Sequence, residues 1–475
     1  MTAPSGAMSR GGCVRIQSSL VRSGILCGLS LVACLLGTRR AAAEVTLAES
    51  DGFTFFIDGR INVFISQGVG DDFPQPTPNL NVTPTGAPPP GHTVVGSGQP
   101  FTAGYSSDQG DANGKYSAMR IRSGFLGTIF AMGVKKQVSE TTTVKGYVSL
   151  WGTAQAFARD RVQDFGQSTS KSFDVREGFA QFEGPWGSVT AGRQGGILGG
   201  ISTEIDFLYG HNYGLGLPCV DNYFPTCGHI GTGALGPGTA PGFVYATPSL
   251  GGLKFRGGFY DPVRLLGGWE RVSYVRPEGA LSFEQRFSPA FLLKAQVEGM
   301  YQPMAILGAD RTDAVWGVSG GARIEAGPLR LGASAFHGKG LGVYVALQNS
   351  GSMFNQTTKN FRTFTGVYAQ SALVFGPLQV SLGAGRVLDS QLDEDKIDAS
   401  TSGLKTQMGA SLAVYYRLTD NLVLGADYFR FQTDWWGAPN STLDDMGNPV
   451  ILGGPPLAPE KQVIHFINTG ATFHW

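Results

Sequence analysis

Lys461-Gln-Val-Ile-His-Phe-Ile-Asn-Thr-Gly-Ala-Thr-Phe-His-Trp475 closes the sequence on alternating residues, with an aromatic ring last. Strand side chains alternate with period 2, so Phe473 and Trp475 share one face. Chain ends fray unless a sheet ties them down. A final aromatic strand is therefore expected to close a barrel, with its last ring at a membrane interface. The stretch from Gly52 to Gln67 alternates in the same way. Its odd positions, Phe53, Phe55, Ile57, Gly59, Ile61, Val63 and Ile65, are apolar throughout. Its even positions, Thr54, Phe56, Asp58, Arg60, Asn62, Phe64 and Ser66, are mixed. The apolar face is assigned to lipid or a second subunit and the mixed face to a lumen. Leu412, Val414, Tyr416 and Leu418, then Leu422, Leu424, Ala426 and Tyr428, repeat the outward pattern across one turn.

Between the two ends the chain repeats one shape: alternating segment, tight turn, alternating segment, long polar loop. Tight turns rich in Gly, Pro, Asn and Asp mark hairpins. They fall at 138–141, 183–187, 248–252, 287–291, 325–328, 375–378 and 418–421. Seven turns give fourteen strands, and one unpaired strand at each end brings the total to sixteen. An even number suits a single-chain barrel of the outer membrane. The expected fold is all-β: a 16-stranded antiparallel transmembrane β-barrel with short periplasmic turns and long extracellular loops. The long connections are 68–115, 154–171, 196–241 and 432–460, the first rich in Pro and Gly. A soluble β-sandwich would also show hairpins, but not this separation of short from long connections.

Composition agrees. Charged residues are only 15% of the chain, low for a soluble protein (about 25%). Beyond Gly37 no apolar run reaches the roughly 18 residues of a membrane helix. Apolar content without apolar runs is what alternation produces, and a closed barrel is its membrane form. Residues 1–43 read as an export signal: Arg10, Arg15 and Arg22, an apolar core from Gly24 to Gly37, and a small-residue cleavage site at Ala41-Ala42-Ala43. The barrel domain is then 44–475. Leu31-Val-Ala-Cys34 offers a rival lipoprotein reading with Cys34 lipidated. Residues 1–43 hold five Arg and no acid, so 36 acidic residues face 31 basic ones after Ala43, a net of −5. That balance does not fit a nucleic-acid partner.

Cys219 and Cys227 are the cysteines beyond the presequence. Export leads to an oxidising compartment, so a local disulfide is expected. Metal binding with His211 or His229 is the rival, but the spacing fits no zinc pattern. No cofactor or metal is expected. The six His residues (92, 211, 229, 337, 465 and 474) show no nucleophile–base arrangement, so no enzyme activity is expected.

From Tyr116 to Pro262 the chain resembles the general bacterial porins, trimeric sixteen-stranded diffusion channels. The resemblance rests on Arg122-Ser-Gly-Phe-Leu-Gly127, Arg176-Glu-Gly-Phe-Ala-Gln-Phe182, Trp186-Gly-Ser-Val-Thr-Ala-Gly-Arg-Gln194 and Gly242-Phe-Val-Tyr-Ala-Thr247, in that order. It implies that the loop 196–241 folds into the barrel as a constriction. It also implies a basic ladder, mapped by position onto Arg60, Arg122 and Arg176, with Arg120 on the face of Arg122. Glu204, Asp206 and Asp221 are the acids expected opposite. The family's Pro-Glu-Phe-Gly-Gly-type loop motif is absent, and the cysteine pair stands in its place. Opposed charges would orient dipolar solutes and bias ion passage.

Arg193 shares parity with Val189 and Ala191 and so points outward. An outward Arg is costly in lipid, about 2–4 kcal/mol at the midplane, which suits a subunit interface. Glu177 has outward parity by the same count. The expected partners are outer-membrane lipid, small hydrophilic solutes and ions and, as the resemblance implies, two further copies in a homotrimer. The resemblance adds the outer-membrane assembly machinery, with Phe473 and Trp475 as its signal. A passive pore is the leading function. A substrate-specific channel with a saturable site, an outer-membrane enzyme and a plugged surface barrel are the alternatives.

Overall fold

Alternation becomes geometry in the computed structural model. It describes residues 44–71, 115–124, 127–152, 173–207, 217–221, 224–262, 270–307, 311–342, 354–355, 358–394, 404–436, 441–443, 449–451 and 461–475. The presequence expectation for 1–43 lies outside these residues.

Sixteen antiparallel strands close into one barrel. They are β1 (Phe53–Asp71), β2 (Lys115–Arg122, resumed at Thr128–Ser139), β3 (Thr142–Gly152), β4 (Phe173–Gly184), β5 (Gly187–Gly195), β6 (Thr239–Ala246), β7 (Leu253–Tyr260) and β8 (Arg276–Ser288). There follow β9 (Phe291–Ile306), β10 (Arg311–Ala326), β11 (Leu329–Lys339), β12 (Thr363–Phe375), β13 (Leu378–Asp389), β14 (Leu404–Arg417), β15 (Leu422–Trp435) and β16 (Gln462–His474). All seven predicted tight turns join hairpins: β2–β3, β4–β5, β6–β7, β8–β9, β10–β11, β12–β13 and β14–β15.

The last strand closes the barrel as its sequence predicts. It pairs with β15 on one edge and with β1 on the other, from Arg60↔His474 to Gly70↔Ile464. At the seam Trp475 N–H donates to the Gly59 carbonyl at 3.1 Å, and Gly59 N–H donates back at 3.3 Å. A short N-terminal strand, Val45–Ser50, takes the same edge of β1 below the seam, with Val45 opposite Ile57. The edge that β16 leaves open is thereby paired.

The two faces of each strand carry different chemistry. On β9, Val297 is 67% exposed while its neighbours Gln296 and Glu298 are 5% and 2%. Leu281, Leu382, Leu412, Val367 and Ile467 lie on the same outer belt. Such a belt would drive aggregation in water; in a bilayer it is the lipid-facing surface. The inner face holds the polar partners, among them Asn62, Ser66, Gln302, Ser381 and Asn468, all buried.

β2 is interrupted partway along its length. Arg122 on β2 faces Phe64, and Ile129 faces Arg60, so seven steps along β2 cover four along β1. Within the surplus, Gly124 N–H donates to the inward-facing Asn62 Oδ1 at 2.8 Å.

Candidate functional site

The third long loop follows β5 and folds into the barrel. Its local geometry begins with the backbone. Gly199 sits at φ +89, and a Cβ there would come within 2.6 Å of the Gly236 carbonyl carbon. Glycine thus lets the outgoing limb pack directly on the returning one. A single helical turn, α1 (Gly200–Glu204), follows.

Two wall carboxylates hold this start of the loop. Ile197 N–H and Leu198 N–H donate to Glu278 Oε2 on β8 at 2.6 and 2.9 Å. Gly199 N–H donates to Glu298 Oε1 on β9 at 2.6 Å, and Ile201 N–H to Oε2 at 3.3 Å. Farther on, Phe207 N–H donates to Gln370 Oε1 on β12 at 2.7 Å, and Gln379 Nε2 on β13 donates to the Phe207 carbonyl at 2.9 Å. Gln370 also donates to the Ile205 carbonyl. Backbone groups of a buried loop must find partners somewhere; here wall side chains supply them.

An apolar cluster reinforces the attachment. Leu198 and Leu235 from the loop join Met300, Met304, Val315, Phe336, Phe361 and Phe364 inside the barrel. Burying one such leucine contributes roughly 1.5–3 kcal/mol. The returning limb is latched at His229. Its ring lies 4.3 Å from that of Tyr368 and 5.7 Å from that of Phe429, and Nε2 is 3.0 Å from Ser411 Oγ on β14. The described parts of the loop on either side of its small hairpin therefore lie along β8 to β14.

The predicted ladder occupies the other side of the barrel, on β1, β2 and β4. Arg60 is partly exposed on the inner face of β1. Arg122 and Arg176 are 1% and 5% exposed. Arg122 donates to Asn468 Oδ1 at 3.2 Å. The Arg176 guanidinium lies over the Trp151 ring at 5.3 Å. Arg120 stands opposite Ser66 by register; its side chain lies outside the described residues.

The acids divide. Glu204 remains partly exposed and meets Lys294 at 2.7 Å, which also reaches Glu284 at 3.1 Å. Asp206, expected to face the lumen, is turned to the wall with 8% of its side chain exposed. Its carboxylate receives the Tyr368 hydroxyl at 3.5 Å and lies 3.9 Å from His229 Nδ1. That last spacing is within ion-pair reach, but complete burial drives the imidazole pKa well below its ordinary value. Desolvation is the cause, and it disfavours the charged imidazole. Asp221 and the cysteines fall in a small hairpin, Leu217–Asp221 with Phe224–Gly228. Their side chains lie outside the described residues.

Arg193 keeps its outward register, paired with Gly178 and Pro241. Its Nε donates to the Arg176 carbonyl at 3.1 Å. Glu177 does not face outward. Ser149 pairs with Glu177 but Leu150 with Val175, so β4 bulges at Arg176 and the parity shifts. Glu177 accepts a hydrogen bond from Ser149 at 3.0 Å on the lumenal face.

Sequence parity missed the anchors. Glu278, Glu298, Gln370 and Gln379 stand at inward positions of regular strands, which marks them as lumenal but does not say that a loop will claim them.

The family model for Gram-negative porins matches residues 31–435. Among solved structures, the outer membrane channel DcaP of Acinetobacter baumannii is 12% identical, with 91% of this chain and 100% of that one covered and a TM-score of 0.56. The anion-selective porin of Comamonas acidovorans is 13% identical, with 89% and 100% covered and a TM-score of 0.52. No curated protein matches the chain. A closed barrel with an apolar belt, a loop seated within it and a family match over most of its length have one reading: the chain belongs to the Gram-negative porin family and forms an outer-membrane channel for passive diffusion of small hydrophilic solutes.

Proposed function

We propose that this channel sorts solutes electrostatically at a throat between the Arg60 wall and the third loop. The observation that carries this is the seating of the loop along β8 to β14, across the barrel from β1, β2 and β4. Arg60 supplies a partly exposed cation, with Arg122 and Arg176 buried in the same side of the wall. Glu204 supplies the acid on the loop, paired with Lys294. Unlike charges on opposite walls set a transverse field that favours dipolar solutes and disfavours apolar ones. The burial of Asp206 supports a part in holding the loop rather than lining the throat. Single-channel recording in asymmetric salt tests the proposal. Arg60→Ala should move the reversal potential toward cation preference and Glu204→Gln toward anion preference; two unchanged potentials would refute it.

The same reading takes the protein as a channel without catalysis, so reconstituted protein should hydrolyse no ester or peptide. It takes residues 1–43 as a cleaved export signal, Cys219 and Cys227 as an oxidised pair, and Phe473 and Trp475 as carriers of the assembly signal. The outward Arg193 supports a homotrimer, in which a neighbour's acid would relieve its cost in lipid.

A further inference from the structure

At the short-turn end of the lumen, two lysines converge on one carboxylate. Lys135 Nζ on β2 is 2.9 Å from Glu44 Oε2, and Lys145 Nζ on β3 is 2.8 Å from Glu44 Oε1. Each lysine takes a different oxygen, the arrangement in which a carboxylate is held from both sides. None of the three is deeply buried: their side chains are 40%, 26% and 32% exposed.

An aromatic row borders the pair. Phe56, Gly133, Tyr147 and Phe179 lie opposite one another across β1 to β4. Gly133 leaves room for the Phe56 ring, since a Cβ there would fall 2.2 Å from it. Phe56 and Tyr147 are stacked at 6.5 Å, and Tyr147 lies 5.3 Å from Phe179. Lys145 Nζ sits 4.8 Å from the Phe56 centroid and 5.2 Å from that of Tyr147. Lys135 Nζ sits 5.4 Å from the Phe56 centroid. Tyr147 and Phe179 are half-buried, so part of the row faces the lumen.

We infer that Lys135, Lys145 and the Tyr147–Phe179 rings form a binding site for small aromatic carboxylates, which the chain's own Glu44 occupies when no solute is present. The carboxylate of the solute takes the place of the Glu44 carboxylate between the lysines, and its ring lies on Tyr147 and Phe179. Acetate would satisfy the lysines and leave the rings uncovered; an uncharged aromatic would do the reverse. Glu44 acts as an internal competitor. Exposed ion pairs are weak, so Glu44 can be displaced. Because a solute binds only the fraction of molecules whose site is open, occupancy by Glu44 for about nine-tenths of the time weakens apparent affinity roughly tenfold. The inference rests on the channel reading only in that solutes reach the site through the lumen.

Calorimetric titration of the refolded barrel in detergent with benzoate tests it, with folding checked by heat-modifiable gel mobility. Benzoate should bind saturably, and acetate, benzyl alcohol and benzylamine at least tenfold more weakly. Glu44→Gln should bind benzoate roughly tenfold tighter. K135Q/K145Q should lose binding; should that variant not fold, Lys145→Gln alone should bind at least fivefold more weakly than the parent. Unchanged affinity in Glu44→Gln, equal binding of benzyl alcohol, or retained affinity in the folded lysine variants would overturn the inference. Bilayer recordings in potassium chloride keep the two readings apart. Conductance steps without benzoate binding overturn the site alone, whereas absent steps count against the channel.

Discussion

Glu298→Ala tests whether wall carboxylates hold the third loop in place. The side chain accepts the N–H of Gly199 at 2.6 Å and of Ile201 at 3.3 Å, both at the first turn of the loop. Leaving a buried backbone donor without its partner costs about 1–3 kcal/mol. The first contact is short and the second long, so together they contribute about 3 kcal/mol. Glu278, Gln370 and the His229 latch remain, so the loop stays seated on average. What changes is the free energy of local opening at 199–201. Each factor of ten costs about 1.4 kcal/mol, so amide exchange of this segment should quicken roughly a hundredfold. Hydrogen exchange read by mass spectrometry on peptides spanning 196–207 measures it. Peptides from β11 and β12 serve as internal reference, and Val297→Ala, on the lipid face of the same strand, serves as the control. If exchange at 199–201 in Glu298→Ala matches the parent, the carboxylate does not carry the anchor and the seating argument fails.

Acidification should loosen the same loop at its other limb. Burial holds the seated pKa of His229 below the ordinary histidine value. Below that value the released loop takes up a proton that the seated loop refuses, and stability present at higher pH is lost at about 1.4 kcal/mol per pH unit. Among the described residues, Asp206 and the Tyr368 hydroxyl face it. Channel current noise should therefore rise between pH 7.5 and 5; an identical rise in His229→Gln would assign the effect elsewhere. At the barrel seam, Gly59→Val would place a Cβ 2.4 Å from the Ile129 carbonyl and 2.6 Å from the Trp475 ring. Overpacking of this kind costs about 1–3 kcal/mol, so the heat-modifiable gel transition should move to lower temperature, and an unmoved transition would count against the seam geometry. Arg193→Ala should weaken the oligomer on native gels while leaving monomer conductance intact; an unchanged oligomer would remove Arg193 from the interface.

The strand count, turn positions and most of the face assignment were legible because a barrel wall keeps period 2 between its bulges, and a slip of one residue would send a lipid face into water. Val63 and Ile65 face out and Asn62 and Ser66 face in, as their alternation requires. Glu177 was misread for a matching reason. Parity counting assumes an unbroken ladder, and one extra residue at Arg176 inverts every assignment on the far side of it. Asp206 was misread for a different one. It lies on a loop, where no period links sequence position to direction, and its partners Tyr368 and His229 are 162 and 23 residues away in sequence. The loop's resting place was equally hidden, because it is written in the wall. Glu278 and Glu298 look like ordinary lumenal acids until backbone donors arrive from a segment about 80 and 99 residues earlier.

This division has a consequence for how the channel can vary. The wall must keep its alternation to remain in the membrane, but its inward positions are free of that constraint. Where such a position has no second duty, as at Glu284 on the exposed edge of the Lys294 cluster, charge can change without disturbing the loop. Where it does, as at Glu298, a change meant to alter selectivity also loosens the constriction. The inward carboxylates therefore fall into two groups that sequence alone does not separate. Recordings of Glu284→Gln and Glu298→Gln separate them physically: the first should shift the reversal potential with quiet current, and the second should add noise. Equal noise in both would mean that the Glu298 carboxylate does not hold the loop.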